Sequence, residues 1–132
     1  MIDVRVQAGD FDPGRQLSRL GDLKQAALAS FVGLAVADDE VEALYVDHYP
    51  ALARSALARI AADAELRWTL GGIVLIHRHG KLAPGDRLAF AGVAAADPQD
   101  ALAAVAFLAD SLRREVPFWR KELLAGGAGR WR

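Results

Sequence analysis

Residues 71–100 read GGIVLIHRHGKLAPGDRLAFAGVAAADPQD. The paired glycines interrupt the preceding pattern, and Ile73 to Arg78 follows as a β-branched strand. Ala83-Pro84-Gly85-Asp86 carries turn chemistry, because proline presets one dihedral and glycine accepts a positive φ. Leu88 to Val93 predicts the returning strand. Asp97 then reads as an N-cap, Pro98 as the first helical residue, and Asp100 as a charge placed well for the helix dipole.

Towards the C-terminus, Leu102, Val105, Ala106, Ala109 and Leu112 recur at helical spacing and predict the buried stripe of that helix. Pro117 stops it, Phe118-Trp119 begins an extended piece, and the glycines at 126, 127 and 129 predict a loose tail closed by Trp131. Towards the N-terminus, Pro50 opens a helix that runs through Leu52, Ala56, Leu57, Ile60 and Ala64 to about Arg67. Val41 to His48 alternates, residues 25–37 form an apolar run read as a buried strand, and residues 31–48 together predict a strand pair. Ile2, Val4 and Val6 alternate with Asp3 and Arg5 as a strand, and Asp10 to Gly14 turns into a short helix through Leu17 and Leu20. The order β-α-β-β-α-β-β-α-β gives an α+β class with an antiparallel or mixed sheet and two long helices.

The 132 residues suit one domain, and 16 Lys+Arg against 17 Asp+Glu leave no global charge to attract nucleic acid or an anionic membrane. The chain has no cysteine, which excludes disulfides, thiolate metal sites and a cysteine nucleophile. The start Met1-Ile2-Asp3-Val4-Arg5 lacks a secretory pattern, no run approaches the roughly 20 apolar residues of a membrane span, and a cytoplasmic location is expected.

His77 and His79 lie two apart, which on a strand places them on one face. Two ligands fall short of a zinc site, so no metal is expected; edge histidines meeting solvent or a carbonyl are the preferred reading. The acidic run of Asp38, Asp39, Glu40 and Glu42 reads as a solvated turn, and Gly33 and Gly80 lack phosphate-loop spacing. From Ser111 to Arg132 stand Arg113, Arg114, Arg120, Lys121, Arg130 and Arg132 against Glu115 and Glu122. Guanidinium groups match phosphate and carboxylate oxygens, although bases also gather at helix C-termini for the dipole alone. Pro117, Phe118 and Trp119 fix the backbone beside these charges, which weakens the helix-end reading without displacing it.

The order Arg67-Trp68, Ile76-His77-Arg78-x-Gly80-x-Leu82-x-x-Gly85-Asp86, Asp110-x-Leu112-Arg113 and Pro117-Phe118-Trp119-Arg120-Lys121-Glu122 resembles the large, catalytic subunit family of molybdopterin synthase. Phe31-x-Gly33 and His48-Tyr49-Pro50 match as well, so the likeness covers about residues 2 to 131. The resemblance implies an α/β hammerhead-type α+β domain over residues 1–132 and a homodimer of large subunits. It further implies one small ubiquitin-like sulfur-carrier subunit at each end, giving a heterotetramer. The carrier's C-terminal glycine thiocarboxylate would enter a pocket, where two sulfurs pass in turn to cyclic pyranopterin monophosphate to form molybdopterin. No cofactor, nucleic acid or membrane is implied. The resemblance gives Arg113 and Arg120 the catalytic role, and substrate binding to these two with Lys121, Arg78 and Arg130.

The chain departs from the family at telling positions. Arg113 and Arg120 stand where the family carries lysines seven apart, Val36 where it carries an arginine, and Asp97-Pro98 where it carries a His-Arg pair. Arginine keeps the charge but, with a pKa above about 12, cannot act as a neutral amine or proton acceptor. Two readings follow: a sulfur-transferring synthase subunit, or a diverged non-catalytic homologue that keeps the dimer and carrier binding. A family-blind reading is a generic anion-binding domain, against which the balanced overall charge weighs.

Overall fold

The computed structural model describes residues 1–36, 41–47, 50–115, 119–124 and 129–131, the last two segments in backbone only. Its elements run β1 (Ile2–Gln7), α1 (Pro13–Gly21), β2 (Ala27–Leu34), β3 (Val41–Asp47), α2 (Pro50–Arg67), β4 (Gly72–Arg78), β5 (Gly80–Leu82), β6 (Arg87–Ala95), α3 (Pro98–Glu115), β7 (Trp119–Leu124) and β8 (Gly129–Trp131). One four-stranded sheet has the order β1-β4-β6-β2, the other β5-β3-β7-β8. β1 runs parallel to β4 and the remaining pairs are antiparallel, giving the mixed α+β architecture expected.

β4 is central and covered on both faces, which is why its sequence is an uninterrupted apolar run rather than an alternating one. Ile73 and Leu75 join the core under α2 and α3 with Leu57, Ile60 and Leu108. Val74 and Ile76 face the other way, into a smaller cluster with Phe11, Leu20 and Phe90. Each of these large side chains, withdrawn fully from water, contributes on the order of 1.5–3 kcal/mol.

The predicted cap is present: Asp97 Oδ1 accepts from the Gln99 amide at 2.9 Å. Asp12, read only as part of a turn, caps α1 as well, its Oδ1 accepting from the Gly14 and Arg15 amides at 2.9 and 3.3 Å. Such caps contribute about 1 kcal/mol each. In the Ala83–Asp86 turn the Asp86 amide bonds the Ala83 carbonyl at 3.0 Å, and Gly85 has φ 92°. That positive φ in third place is what makes glycine necessary there.

Several expectations need correction. Residues 31–48 are not a strand pair: β2 pairs with β6, and β3 joins the second sheet between β5 and β7. The chain leaving β2 bonds the turn before β6 instead, with Ala35 N to Asp86 O at 2.8 Å and Gly85 N to Ala35 O at 2.7 Å. β2 is an edge strand rather than a buried one, leaving Leu28, Phe31 and Leu34 exposed. Glu42 lies in β3, while Asp38, Asp39, Glu40 and His48 lie outside the described residues. Leu52 on α2 is exposed. The buried stripe of α3 is Ala101, Ala104, Leu108, Ser111 and Leu112, and Leu102 points outward at 64% exposure. Gly129 to Trp131 is not loose tail but β8, paired with β7.

Candidate active site

Where β4, β6 and β2 lie side by side, His77 registers with Ala89, and Ala89 with Gly33. These three residues form one row across the sheet. His77 continues the Ile73–Leu75 parity, so it stands on the face that α3 covers. Two of the three are too small to reach the helix, and the helix answers with Ala106 and Ala109. The space left is a cleft of about 440 Å³. Phe31, Leu34, Leu88 and Leu112 complete its apolar lining, and Asp110 and Arg113 from the last turns of α3 supply charge.

Gly33 shapes the cleft directly. A Cβ there would lie 3.2 Å from Phe31 Cζ, so the ring rests over the strand as it does because residue 33 has no side chain to push it aside. A register shift between Gly33 and Leu34 then bends β2 at the same point.

The charged end is built from one turn of α3. Asp110 accepts from Arg113 Nη2 at 2.9 Å and pairs with Arg114 Nη2 at 2.7 Å. The Arg113 hydrogen bond, joined by the charges of both arginines, holds the Asp110 carboxyl below its ordinary value of 3.8. The carboxylate keeps the guanidinium close to the helix, and Arg113 still has donors for a second oxyanion. His77 is the buried polar group of the cleft, 2% exposed. Its Nδ1 lies 2.9 Å from the Arg78 carbonyl. A carbonyl only accepts, so in this contact Nδ1 is the donor.

Comparison with known proteins places this geometry. The family model described as MoaE protein matches residues 6–115. The molybdopterin synthase catalytic subunit of Mesorhizobium japonicum is 41% identical over 133 residues, spanning 97% of this chain and 83% of the relative. The solved molybdopterin biosynthesis MoaE protein of Burkholderia ambifaria superposes with a TM-score of 0.85 at 37% identity, covering 99% of this chain and 88% of that one. A complex of subunits 1 and 2 of the molybdopterin-converting factor from Helicobacter pylori shares the fold, with a TM-score of 0.73 at 19% identity over 98% and 88% of the two chains.

The chain belongs to the MoaE family of molybdopterin synthase catalytic subunits.

Within this MoaE fold the expected site residues separate. Arg113 lines the cleft. Arg120, Lys121 and Arg130 are described by backbone register and not by side chain. Arg120 registers with Val46, and Arg130 with Glu122, which registers with Leu44; Leu44 and Val46 are both buried. Lys121 registers with Tyr45, which is exposed. Arg120 and Lys121 therefore occupy opposite faces of β7. Arg78 is not among the cleft residues. Its guanidinium donates to the Ala8 carbonyl at 3.2 and 3.1 Å and to the Arg87 carbonyl at 3.0 Å, fastening the end of β4 to the loop after β1 and to the start of β6.

The expectation for the histidines also changes. β4 ends at Arg78, so His79 lies beyond the strand, its amide bonded to the Gln7 carbonyl at 3.0 Å. His77 is on a central strand, not an edge. Among the described residues no three His, Asp or Glu side chains gather in a metal-binding group, and no helix is long and apolar enough to cross a membrane. Sequence reasoning missed the small residues that open the cleft and the place of His77 in it. The parity of Ile73, Leu75 and His77 was the available signal. Arg67-Trp68 serves packing: the Arg67 guanidinium lies 4.4 Å from the centre of the Phe107 ring, and Trp68 meets the same ring at 5.6 Å between centres with the planes inclined at 59°.

Proposed function

We propose that this chain is a working large subunit, moving sulfur from the thiocarboxylate of a small ubiquitin-like carrier to cyclic pyranopterin monophosphate, and so making molybdopterin. The observation that carries the reading is Arg113, held by Asp110, at the charged end of a mainly apolar cleft whose floor is Gly33 and Ala89. A glycine-ended tail is narrow enough for such a floor, and its thiocarboxylate is an anion that a guanidinium grips with charge-assisted hydrogen bonds. Arg113 and Arg120 stabilise negative charge that develops during transfer, a task that needs positive charge and donors but no loss of a proton. By register Arg130 shares the face of Arg120, where positive charge suits the phosphate of the pterin. Lys121 lies on the opposite face of β7 and is left outside that site. Arg78 assists by fixing the end of β4 next to His77.

The assembly in this proposal is a homodimer carrying two carriers. The outer edge of β2 supports the dimer: among the described residues nothing pairs with it, and it leaves Leu28 and Leu34 41% and 49% exposed. An apolar strand edge of that length is a template for pairing. The Helicobacter pylori relative, solved as a complex of two subunits of its converting factor, supports a small-subunit partner. The non-catalytic alternative gains nothing from relatives that carry the name of catalytic subunit. The test is to mix the purified chain with thiocarboxylated carrier and cyclic pyranopterin monophosphate and assay molybdopterin. Product dependent on the chain is expected; none above the carrier-only control would refute the proposal.

A further inference from the structure

On the face of the first sheet opposite the sulfur-transfer cleft, β1 and α1 enclose a second cleft of about 390 Å³. Its wall is polar: Phe11 is the one apolar side chain among the described residues that line it, and Arg5, Arg15, Gln16 and Arg19 supply donors. Arg15, Gln16 and Arg19 share one face of α1, because residues three and four apart are neighbours on a helix. Asp3 Oδ2 lies 2.9 Å from Arg5 Nη2 and 2.8 Å from Arg19 Nη2, which draws those two guanidiniums together.

Gln16 is only 6% exposed. Its Oε1 accepts from Arg19 Nη1 at 2.7 Å, and a guanidinium only donates, so the amide oxygen faces Arg19 and the nitrogen is turned away from it. Among the described residues that nitrogen has no partner, yet the one buried side-chain polar atom left unsatisfied is Ser111 Oγ. Gln16 Nε2 therefore reaches the cleft, a donor fixed in place and open to a ligand. Arg15 likewise makes no ion pair among the described residues. The carboxylates of the wall are engaged elsewhere: Asp10 with Arg87 at 2.9 Å and Arg78 at 3.8 Å, and Asp12 with the amides it caps. Arg5, Arg15, Arg19, Arg78 and Arg87 thus outnumber Asp3, Asp10 and Asp12, and the cleft keeps positive charge. We infer that this cleft binds the phosphate of a small molecule, with Gln16 Nε2 and the Arg15 guanidinium as its principal donors and Arg5 and Arg19 beside them. Its size is that of a small-molecule site, which suits a phosphate ester better than the bare ion.

The test titrates the chain with inorganic phosphate and, separately, with glycerol phosphate, ionic strength being held constant with sodium chloride. The Gln16 side-chain amide resonance is followed by NMR. Expected is a saturable shift with both compounds, at lower concentration for glycerol phosphate. Arg15→Ala, a change at an exposed position, should weaken the apparent affinity by about tenfold. Arg113→Ala, which alters the other cleft, should leave it unchanged. Inorganic phosphate binding as tightly as the ester would support the site with the free ion as its ligand. A Gln16 resonance unmoved at about 10 mM of either compound would overturn the inference. So would a shift that Arg15→Ala leaves intact, or one that Arg113→Ala abolishes. None of these readouts requires turnover, so the result is independent of the sulfur-transfer reading.

Discussion

Arg113 and Asp110, one helical turn apart on α3, are joined at 2.9 Å, and both line the cleft that holds His77. The pair is exposed, 74% and 44%, so it adds little to stability in water. Its effect is to keep a guanidinium beside the cleft. Arg113→Ala should weaken binding of a carrier ending in glycine thiocarboxylate by about tenfold, in line with one charge-assisted hydrogen bond. Arg113→Lys, which restores the residue the family carries, should stay within a few-fold of the unsubstituted chain. Titration calorimetry against thiocarboxylated and amidated carriers separates the two. Equal affinity of the alanine variant for both forms, at the unsubstituted chain's strength, would remove Arg113 from the site.

Two glycines on neighbouring strands should respond differently to alanine. At Gly92 a Cβ would lie 2.7 Å from Phe90 Cε1 and 2.9 Å from Leu20 Cδ1, both in the smaller core cluster. Gly92→Ala is expected to cost about 1–3 kcal/mol in thermal or denaturant unfolding, as overpacking does. At Gly33 the contact is the Phe31 ring at 3.2 Å, beside open cleft, so the ring can yield. Gly33→Ala should cost less stability but weaken carrier binding. A loss of stability at Gly33 as large as at Gly92, with binding untouched, would contradict this account of the cleft.

Asp3 gives a pH signature. Partial burial raises its pKa, but hydrogen bonds and charge from Arg5 and Arg19 outweigh that and hold it below 3.8. The unfolded chain therefore takes up this proton more readily than the folded one. The stabilisation is full above about pH 4 and is lost as pH falls through the folded value. With partners partly exposed, it amounts to about 0.5–1 kcal/mol. Asp3→Asn should be less stable than the unsubstituted chain at pH 6, and the gap should narrow as pH falls below 3.8. A gap constant with pH would show that the ion pairs with Arg5 and Arg19 do not stabilise the fold.

The edge of β2, unpaired among the described residues, predicts the oligomeric state. Leu28→Lys places a charge on the exposed edge, away from the cleft residues. Light scattering should find the unsubstituted chain dimeric and the variant shifted towards monomer at micromolar concentration. A dimer unaffected by the lysine would move the interface elsewhere.

Much of this was readable in the sequence where one local signal decided the outcome. Asp97-Pro98 starts a helix through its own side chain and dihedral, and Pro84-Gly85 turns because its backbone permits little else. What failed depended on distant partners. Nothing within residues 31–48 tells the chain that β2 will bond β6 and β3 a different sheet. On α3, alanine at 101, 103, 104, 106 and 109 fits several phases, so the larger Leu102 drew the stripe to the wrong side. The cleft is defined by missing side chains, Gly33 and Ala89 on two strands and Ala106 and Ala109 on a helix, and their meeting is a property of packing alone. Arg113, by contrast, was legible as a charge in a motif.

The central claim, that a chain with arginine at 113 and 120 still transfers sulfur, is tested most directly by following the sulfur itself. Carrier bearing an isotopically labelled thiocarboxylate is mixed with the chain and cyclic pyranopterin monophosphate, and the label is traced to the pterin product. The account predicts two labelled sulfurs in each molybdopterin, formed only when the chain is present. Label that stays on the carrier, or is released as sulfide without entering the pterin, would contradict it.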